Sequence, residues 1–366
     1  MNDSPAPESP AESAPRRPHR TPTRVDLLHR IEAAAARVLV SLPEPLLRLA
    51  VPRRANGRGD RVAPDVALSL ALLKVVGGSG PKDGRPISQL RAEMDLEASL
   101  ARGRPPRMRM ADIHVAGVPC REYLPPCPAE HPAGATILYL HGGGWTLGSL
   151  ETHDAPCRHI AAGTGVRVVS ADYRMAPEAP FPAAVDDVMA VYRELAAAGP
   201  VVVMGDSAGG NLAAVICLAA RGEGLVQPAL QALIVPAVDF AGRTASRDEF
   251  AEGLFLTDAD MDWYIGHYTR DHVAAGGDLR DWRLSPLHAD DHSGLAPAYV
   301  AVAGFDPLRD EGEAYAEALA SAGVPVTLRR HRDLVHPFIN SPGIWRGSRA
   351  AIADLVGAVR LALGVR

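Results

Sequence analysis

The sequence predicts an α/β protein in which a mostly parallel central sheet carries helices on both faces. Three observations support this. From Ala135 onward, short β-rich runs alternate with helical ones, the pattern of successive βαβ units. One of these runs, Val201–Met204, passes straight into Gly205-Asp206-Ser207-Ala208-Gly209-Gly210 and then into a helical pattern with no spacer. Between Asp239 and Ala298 the alternation stops for nearly sixty residues, although one crossover helix would suffice. An insertion of that length beside the carboxyl end of a strand is expected to form a lid.

Taken in order, residues 1–24 are Pro- and Ser-rich and carry too little apolar surface to fold, so a disordered tail is expected. Over 25–50 apolar residues recur at helical spacing (Leu27, Ile31, Ala35, Val38), interrupted at Pro43 and Pro45. The turn-like stretch R-A-N-G-R-G-D precedes a helix predicted at 66–76, and a Gly/Pro-rich link precedes another at 87–102. Two alternating runs, R-M-R-M-A-D-I-H-V and P-C-R-E-Y-L-P, predict an antiparallel edge. Strands follow at 136–140, 165–173, 201–205, 231–238, 298–304 and 325–330, with helices at 155–163, 181–197, 208–221, 309–322 and 342–363. Inside the long interval, L-T-D-A-D-M-D-W-Y-I-G-H-Y-T predicts a helix capped by Thr257.

Composition sets the broad class. The 366 residues are 47% apolar and 22% charged, ordinary for a globular chain. A formal net charge of −5 does not favour nucleic-acid binding. Cys120, Cys127, Cys157 and Cys217 form neither a C-x-x-C pair nor a zinc spacing, which implies reduced thiols and a cytoplasmic setting. No apolar stretch follows Met1 and no uninterrupted apolar run reaches about 20 residues, so neither a secretory signal nor stable membrane insertion is expected.

The chemistry centres on Gly205–Gly209, which has the form G-x-S-x-G after a strand and before a helix. A sharp turn there forces Ser207 into a strained conformation and lifts its Oγ above the sheet edge. Any Cβ at the flanking glycines would collide with the neighbouring strand and helix. The competing reading is a Gly-rich turn with an N-cap serine. Upstream, His141-Gly142-Gly143-Gly144-Trp145 follows a buried strand, and the amides of Gly143, Gly144 and Ala208 are candidates to bind a developing oxyanion. His141 is expected to orient that loop. Phosphate binding lacks the Gly-Lys-Ser/Thr sequence it would need. Trp145 and Asp206, adjacent to these motifs, are candidates for substrate contact.

A serine nucleophile needs a base and an orienting carboxylate. Among thirteen histidines the best placed is His336, in R-D-L-V-H-P-F after the last strand, while His331 falls in that strand and His288 and His292 in a polar loop. Asp306 directly follows another strand. Asp239 is the fallback, Asp333 lies too near His336 in sequence, and Asp310 and Glu311 belong to the following helix. Ser207, Asp306, His336 is the chain order of α/β-hydrolases.

With H-G-G-G-W, D-Y-R-M-A-P-E, G-D-S-A-G-G-N, D-P-L-R-D-E-G and H-P-F in this order and spacing, residues 105–366 resemble the hormone-sensitive-lipase-like α/β-hydrolases, bacterial family IV esterases above all. Met175 stands where the family usually has Leu. The resemblance implies a serine carboxylesterase acting on small-molecule acyl esters of short to medium chain, with Ser207, Asp306 and His336 as triad and no metal or organic cofactor. Tyr173, Arg174 and Glu178 would brace the sheet and the glycine loop. It also implies a helical cap built from residues 25–104 and the insertion at about 240–285, with Leu27, Ile31 and Val38 facing Phe255, Trp263 and Tyr264. A homodimer is left open. Two further readings stay open: an amide or lactone hydrolase, and a non-catalytic small-molecule binding protein on the same fold, against which His336 counts.

Overall fold

The computed structural model describes residues 42–51, 54–75 and 84–365. The expected tail and the helical positions Leu27, Ile31 and Val38 lie outside the described residues. Eight strands form one sheet in the order β1-β2-β4-β3-β5-β6-β7-β8. They are β1 (Arg109–Val115), β2 (Val118–Leu124), β3 (Thr136–Leu140), β4 (Arg167–Ala171), β5 (Val201–Asp206), β6 (Leu230–Ile234), β7 (Ala298–Phe305) and β8 (Val326–Val335). β2 pairs antiparallel with β1 and β4, and every pair from β4 through β3 to β8 is parallel. The parallel strands β3, β5, β6 and β7 are buried along their whole length, as strands covered on both faces must be.

Side-chain alternation divides the core. Leu138, Leu140, Val201 and Val203 face α5 (Ala183–Ala198), α6 (Ala208–Gly222) and α9 (Arg309–Ser321). Ile137, Tyr139, Val202 and Met204 face α4 (Asp154–Thr164) and α10 (Arg346–Ala362). Of the N-terminal helices, α1 (Glu44–Ala50), α2 (Pro64–Val75) and α3 (Ile87–Ala101) are described. α2 sends Val66 and Leu70 into the α4/α10 side of the core.

The insertion supplies α7 (Ala245–Glu249) and α8 (Asp258–Ala274). Thr257 caps α8 as expected, in a reciprocal capping box with Asp260. Two strand ends differ most from the sequence reading. β6 stops at Ile234, because Pro236 has no amide to offer the ladder and Val235 has a positive φ of 42°. β8 continues to Val335, enclosing His331 and Asp333, and an irregularity against β7 brings Val335 opposite Phe305.

Candidate active site

Because β5, β7 and β8 are parallel, their carboxyl ends open on one edge of the sheet. Ser207, Asp306 and His336 are the first residues beyond those three strands. His336 Nε2 lies 2.9 Å from Ser207 Oγ. The other ring nitrogen, Nδ1, lies 3.0 and 3.1 Å from the two carboxylate oxygens of Asp306. Asp306 is fully buried and its Oδ1 also accepts the Leu308 N–H at 2.9 Å.

Ser207 has φ 55° and ψ −118°, a left-handed conformation costly for a residue with a Cβ. Although it stands at the N-cap of α6, its side chain makes no cap hydrogen bond. The hydroxyl that the competing reading assigns to capping is turned to His336 instead. Gly205 and Gly209 allow this approach, since a Cβ on either would overlap the other's backbone or the Leu140 carbonyl.

The glycine loop after β3 is equally constrained. Gly143, Gly144 and Trp145 all have positive φ, at 117°, 59° and 56°. Neither the Gly143 nor the Gly144 amide donates to a protein group among the described residues. The Ala208 N–H is in the first turn of α6, where the helix provides no acceptor. From α8, the Tyr264 ring presses onto Gly144, where a Cβ would overlap it. His141 is fully buried, stacked on Tyr173 at 4.3 Å, and the Tyr173 hydroxyl donates to its carbonyl at 2.6 Å. Burial, then the neighbouring His153, push its pKa down to about 4, so it is a neutral framework group. Arg174 pairs with Asp187 at 2.8 Å, and Glu178 with the buried Arg91 at 2.8 Å.

Both residues expected to contact substrate are buried. Trp145 is 3% exposed, stacked on Tyr268 at 4.8 Å with Phe240 edge-on at 4.9 Å. Asp206 points away from the site: it accepts the Tyr139 hydroxyl at 2.9 Å and lies 3.1 Å from His153 Nε2. Burial raises its pKa, but His153's charge and hydrogen bonds from His153 and Tyr139 outweigh this and hold it below the usual carboxylate range. Strand alternation carried the signal, since Asp206 continues the Val202, Met204 face. Asp239, the fallback acid, is 2.8 Å from His288 Nε2. His331 and Asp333 stay within β8, and Asp310 and Glu311 within α9.

Residues 137–340 match the family model described as the α/β-hydrolase fold. Carboxylic ester hydrolase LipN of Mycobacterium tuberculosis is 41% identical over 342 residues, covering 88% of this chain and 89% of that protein. The ethyl acetate hydrolase of Pseudomonas putida is 33% identical, covering 81% and 98%. An ester hydrolase from the Lake Arreo metagenome, solved with a bipyridine phosphonate derivative, superposes with a TM-score of 0.78 at 38% identity over 83% of this chain and 99% of its own. The strand-end serine site on this sheet defines a serine hydrolase of the α/β class. The chain belongs to the α/β-hydrolase family, in its hormone-sensitive-lipase-like esterase branch.

Proposed function

We propose that the chain hydrolyses small acyl esters of short to medium chain length through a covalent acyl-enzyme on Ser207. The observation that carries this reading is the contact of Ser207 Oγ with His336 Nε2, made by a serine with a strained backbone whose hydroxyl makes no helix-cap hydrogen bond. His336 accepts the hydroxyl proton as Oγ attacks the ester carbonyl, and Asp306 holds the ring and offsets its positive charge. The carbonyl oxygen becomes an oxyanion facing the amides of Gly143, Gly144 and Ala208. The C–O bond to the alcohol breaks as His336 returns the proton to it. Water then repeats the cycle on the acyl-enzyme and frees the acid.

In this reading residues 105–366 are the catalytic domain, the insertion at about 240–285 roofs the site, and a cytoplasmic enzyme needs no cofactor. The roof is supported by Tyr264 over Gly144 and by the Trp145–Tyr268 stack. Short chains are supported by the similarity to the ethyl acetate hydrolase of Pseudomonas putida. A panel of p-nitrophenyl esters from C2 to C16 with an arylamide control tests it. The expected optimum lies at or below medium chain length with negligible amide turnover, and equal turnover of the arylamide would overturn the ester assignment.

A further inference from the structure

The N-terminal residues 54–101 make polar contacts to the glycine loop and to the chain on either side of Asp306 and His336. Arg91, in the middle of α3, is 4% exposed. Its Nε donates to the Thr146 carbonyl at 2.8 Å and its Nη2 to the Ala176 carbonyl at 2.8 Å. The same guanidinium forks onto Glu178 at 2.8 and 2.9 Å. The Ala176 N–H in turn donates to the Trp145 carbonyl at 2.8 Å. One buried cation thereby ties down the end of the stretch Gly143–Trp145, whose three positive φ angles need outside support to persist. One turn further along α3, Asp95 accepts the Ser149 hydroxyl at 2.6 Å, anchoring the far side of that loop.

The strand ends that lead into Asp306 and His336 are held likewise. Asn56, 8% exposed, donates its side-chain amide to the Gly304 carbonyl at 2.9 Å, two residues before Asp306. The Ala63 N–H donates to the Asp333 carbonyl at 2.9 Å, three residues before His336. Beyond His336, the Gly343 N–H donates to the Ala101 carbonyl at the end of α3 at 2.9 Å. A pocket wall would present apolar side chains to a ligand. These groups instead bind mostly backbone carbonyls of the glycine loop and of the strand ends before Asp306 and His336. A buried guanidinium whose planar fork meets two carbonyls and a carboxylate is a site that Lys does not reproduce.

We propose that the N-terminal segment is a clamp on the catalytic loops, with Arg91 a positioning residue for the oxyanion loop and Asn56 one for the Asp306 loop. This rests on the proposed roles of Ser207, Asp306, His336 and the glycine amides.

The test measures kcat and KM of the full chain on p-nitrophenyl butyrate, together with the C2 to C16 ranking. Because misplacing an oxyanion donor by a fraction of an ångström is costly, Arg91→Met should lower kcat by about tenfold to a hundredfold while KM and the chain-length ranking hold within about twofold. Arg91→Lys should fall between the two, and millimolar methylguanidinium should restore part of the kcat of Arg91→Ala where methylammonium does not. Asn56→Ala should lower kcat by about threefold or more with KM unchanged. Native near-ultraviolet circular dichroism with wild-type kcat in Arg91→Met would overturn the clamp, as would a change in chain-length ranking with kcat intact. Should the Arg91 variants not fold, Asn56→Ala with wild-type kcat overturns it equally. Ser207→Ala separates the two layers: turnover surviving there sinks the underlying site, whereas a dead Ser207→Ala beside wild-type Arg91 and Asn56 variants sinks only the clamp.

Discussion

Two of the Asp–His pairs at the carboxyl edge of the same sheet, Asp306–His336 and Asp239–His288, differ in which ring nitrogen the carboxylate holds. Asp306 takes Nδ1 of His336, the nitrogen nearer the backbone, so Nε2 projects outward to Ser207 at 2.9 Å. Asp239 takes Nε2 of His288 at 2.8 Å, the far nitrogen, so the end of the ring that could reach a substrate is already occupied. Asp306 is completely enclosed, while the His288 ring is 31% exposed. Asp239 Oδ1 is shared further with the Ala241 and Gly242 amides, in the manner of a turn. An acid and a histidine at hydrogen-bond distance therefore do not define a base. The histidine must be gripped from behind and face a hydroxyl in front.

The strongest way to break this comparison is at the hydroxyl. Ser207→Ala should lower kcat by about 10⁴-fold to 10⁶-fold with KM little altered, the scale seen when a triad serine is removed. A phosphonate ester should label wild-type protein once, on the peptide containing Ser207, as read by mass spectrometry. Label on any other peptide moves the nucleophile. Next in size is Asp306→Asn, expected to cost about 10³-fold to 10⁴-fold in kcat because the amide favours the wrong tautomer of His336. The thermal midpoint should change little, since the Asn oxygen can still accept the Leu308 N–H. Near-normal turnover in Asp306→Asn would give the second pair a catalytic claim.

How much of this was legible depends on what each residue's signal fixes. Ser207, Asp306 and His336 each follow a strand, and parallel strands put their carboxyl ends on one edge, so periodicity alone brings them close. The Asp239–His288 pairing was not legible, because the two lie 49 positions apart across the insertion and no strand order constrains that path. Adjacency to a motif does not tell where Trp145 and Asp206 point; the direction of the side chain decides, and both are buried among framework aromatics and histidine. For the N-terminal helices, an apolar stripe says that a face is buried but not against what. Val66 and Leu70 of α2 bury against the sheet beside α10. Arg91 looks like any helix charge until its carbonyl partners, 55 and 85 residues away, are known.

A smaller effect is expected at Glu311, which sits between the two acids. Its Oε1 accepts the Val238 N–H at 2.7 Å and the Asp239 N–H at 3.3 Å. Burial first, with the nearby Asp239 and Asp306 charges adding to it, holds its pKa well above the carboxylate range despite those amides. A carboxyl whose pKa rises on folding contributes stability below its unfolded pKa, and that contribution is lost as pH climbs from there through the folded pKa. Glu311→Gln cannot ionise and escapes this loss. The thermal midpoint of Glu311→Gln relative to wild type should therefore climb by a few degrees as pH is raised above the ordinary Glu range. A difference that is flat with pH, or that shrinks as pH rises, would mean that Glu311 is ionised in the folded protein.

The smallest effects should come from the second pair itself. Asp239→Asn keeps the oxygen that accepts the Ala241 and Gly242 amides, so the turn survives and only the charge facing His288 is removed. A partly exposed contact of this kind contributes about 1 kcal/mol or less. His288→Ala removes a ring that reaches no hydroxyl among the described residues. Both variants should keep kcat/KM on p-nitrophenyl butyrate within about threefold of wild type, the scatter expected of a change outside the reacting groups. The double variant should lose no more than the sum of the two, because a pair without a role in the chemistry has no catalytic coupling to forfeit. A hundredfold loss in either single variant, in protein with an unchanged thermal midpoint, would show that the Asp239–His288 pair acts on the substrate after all, and the rule drawn from the orientation of the two rings would fail with it.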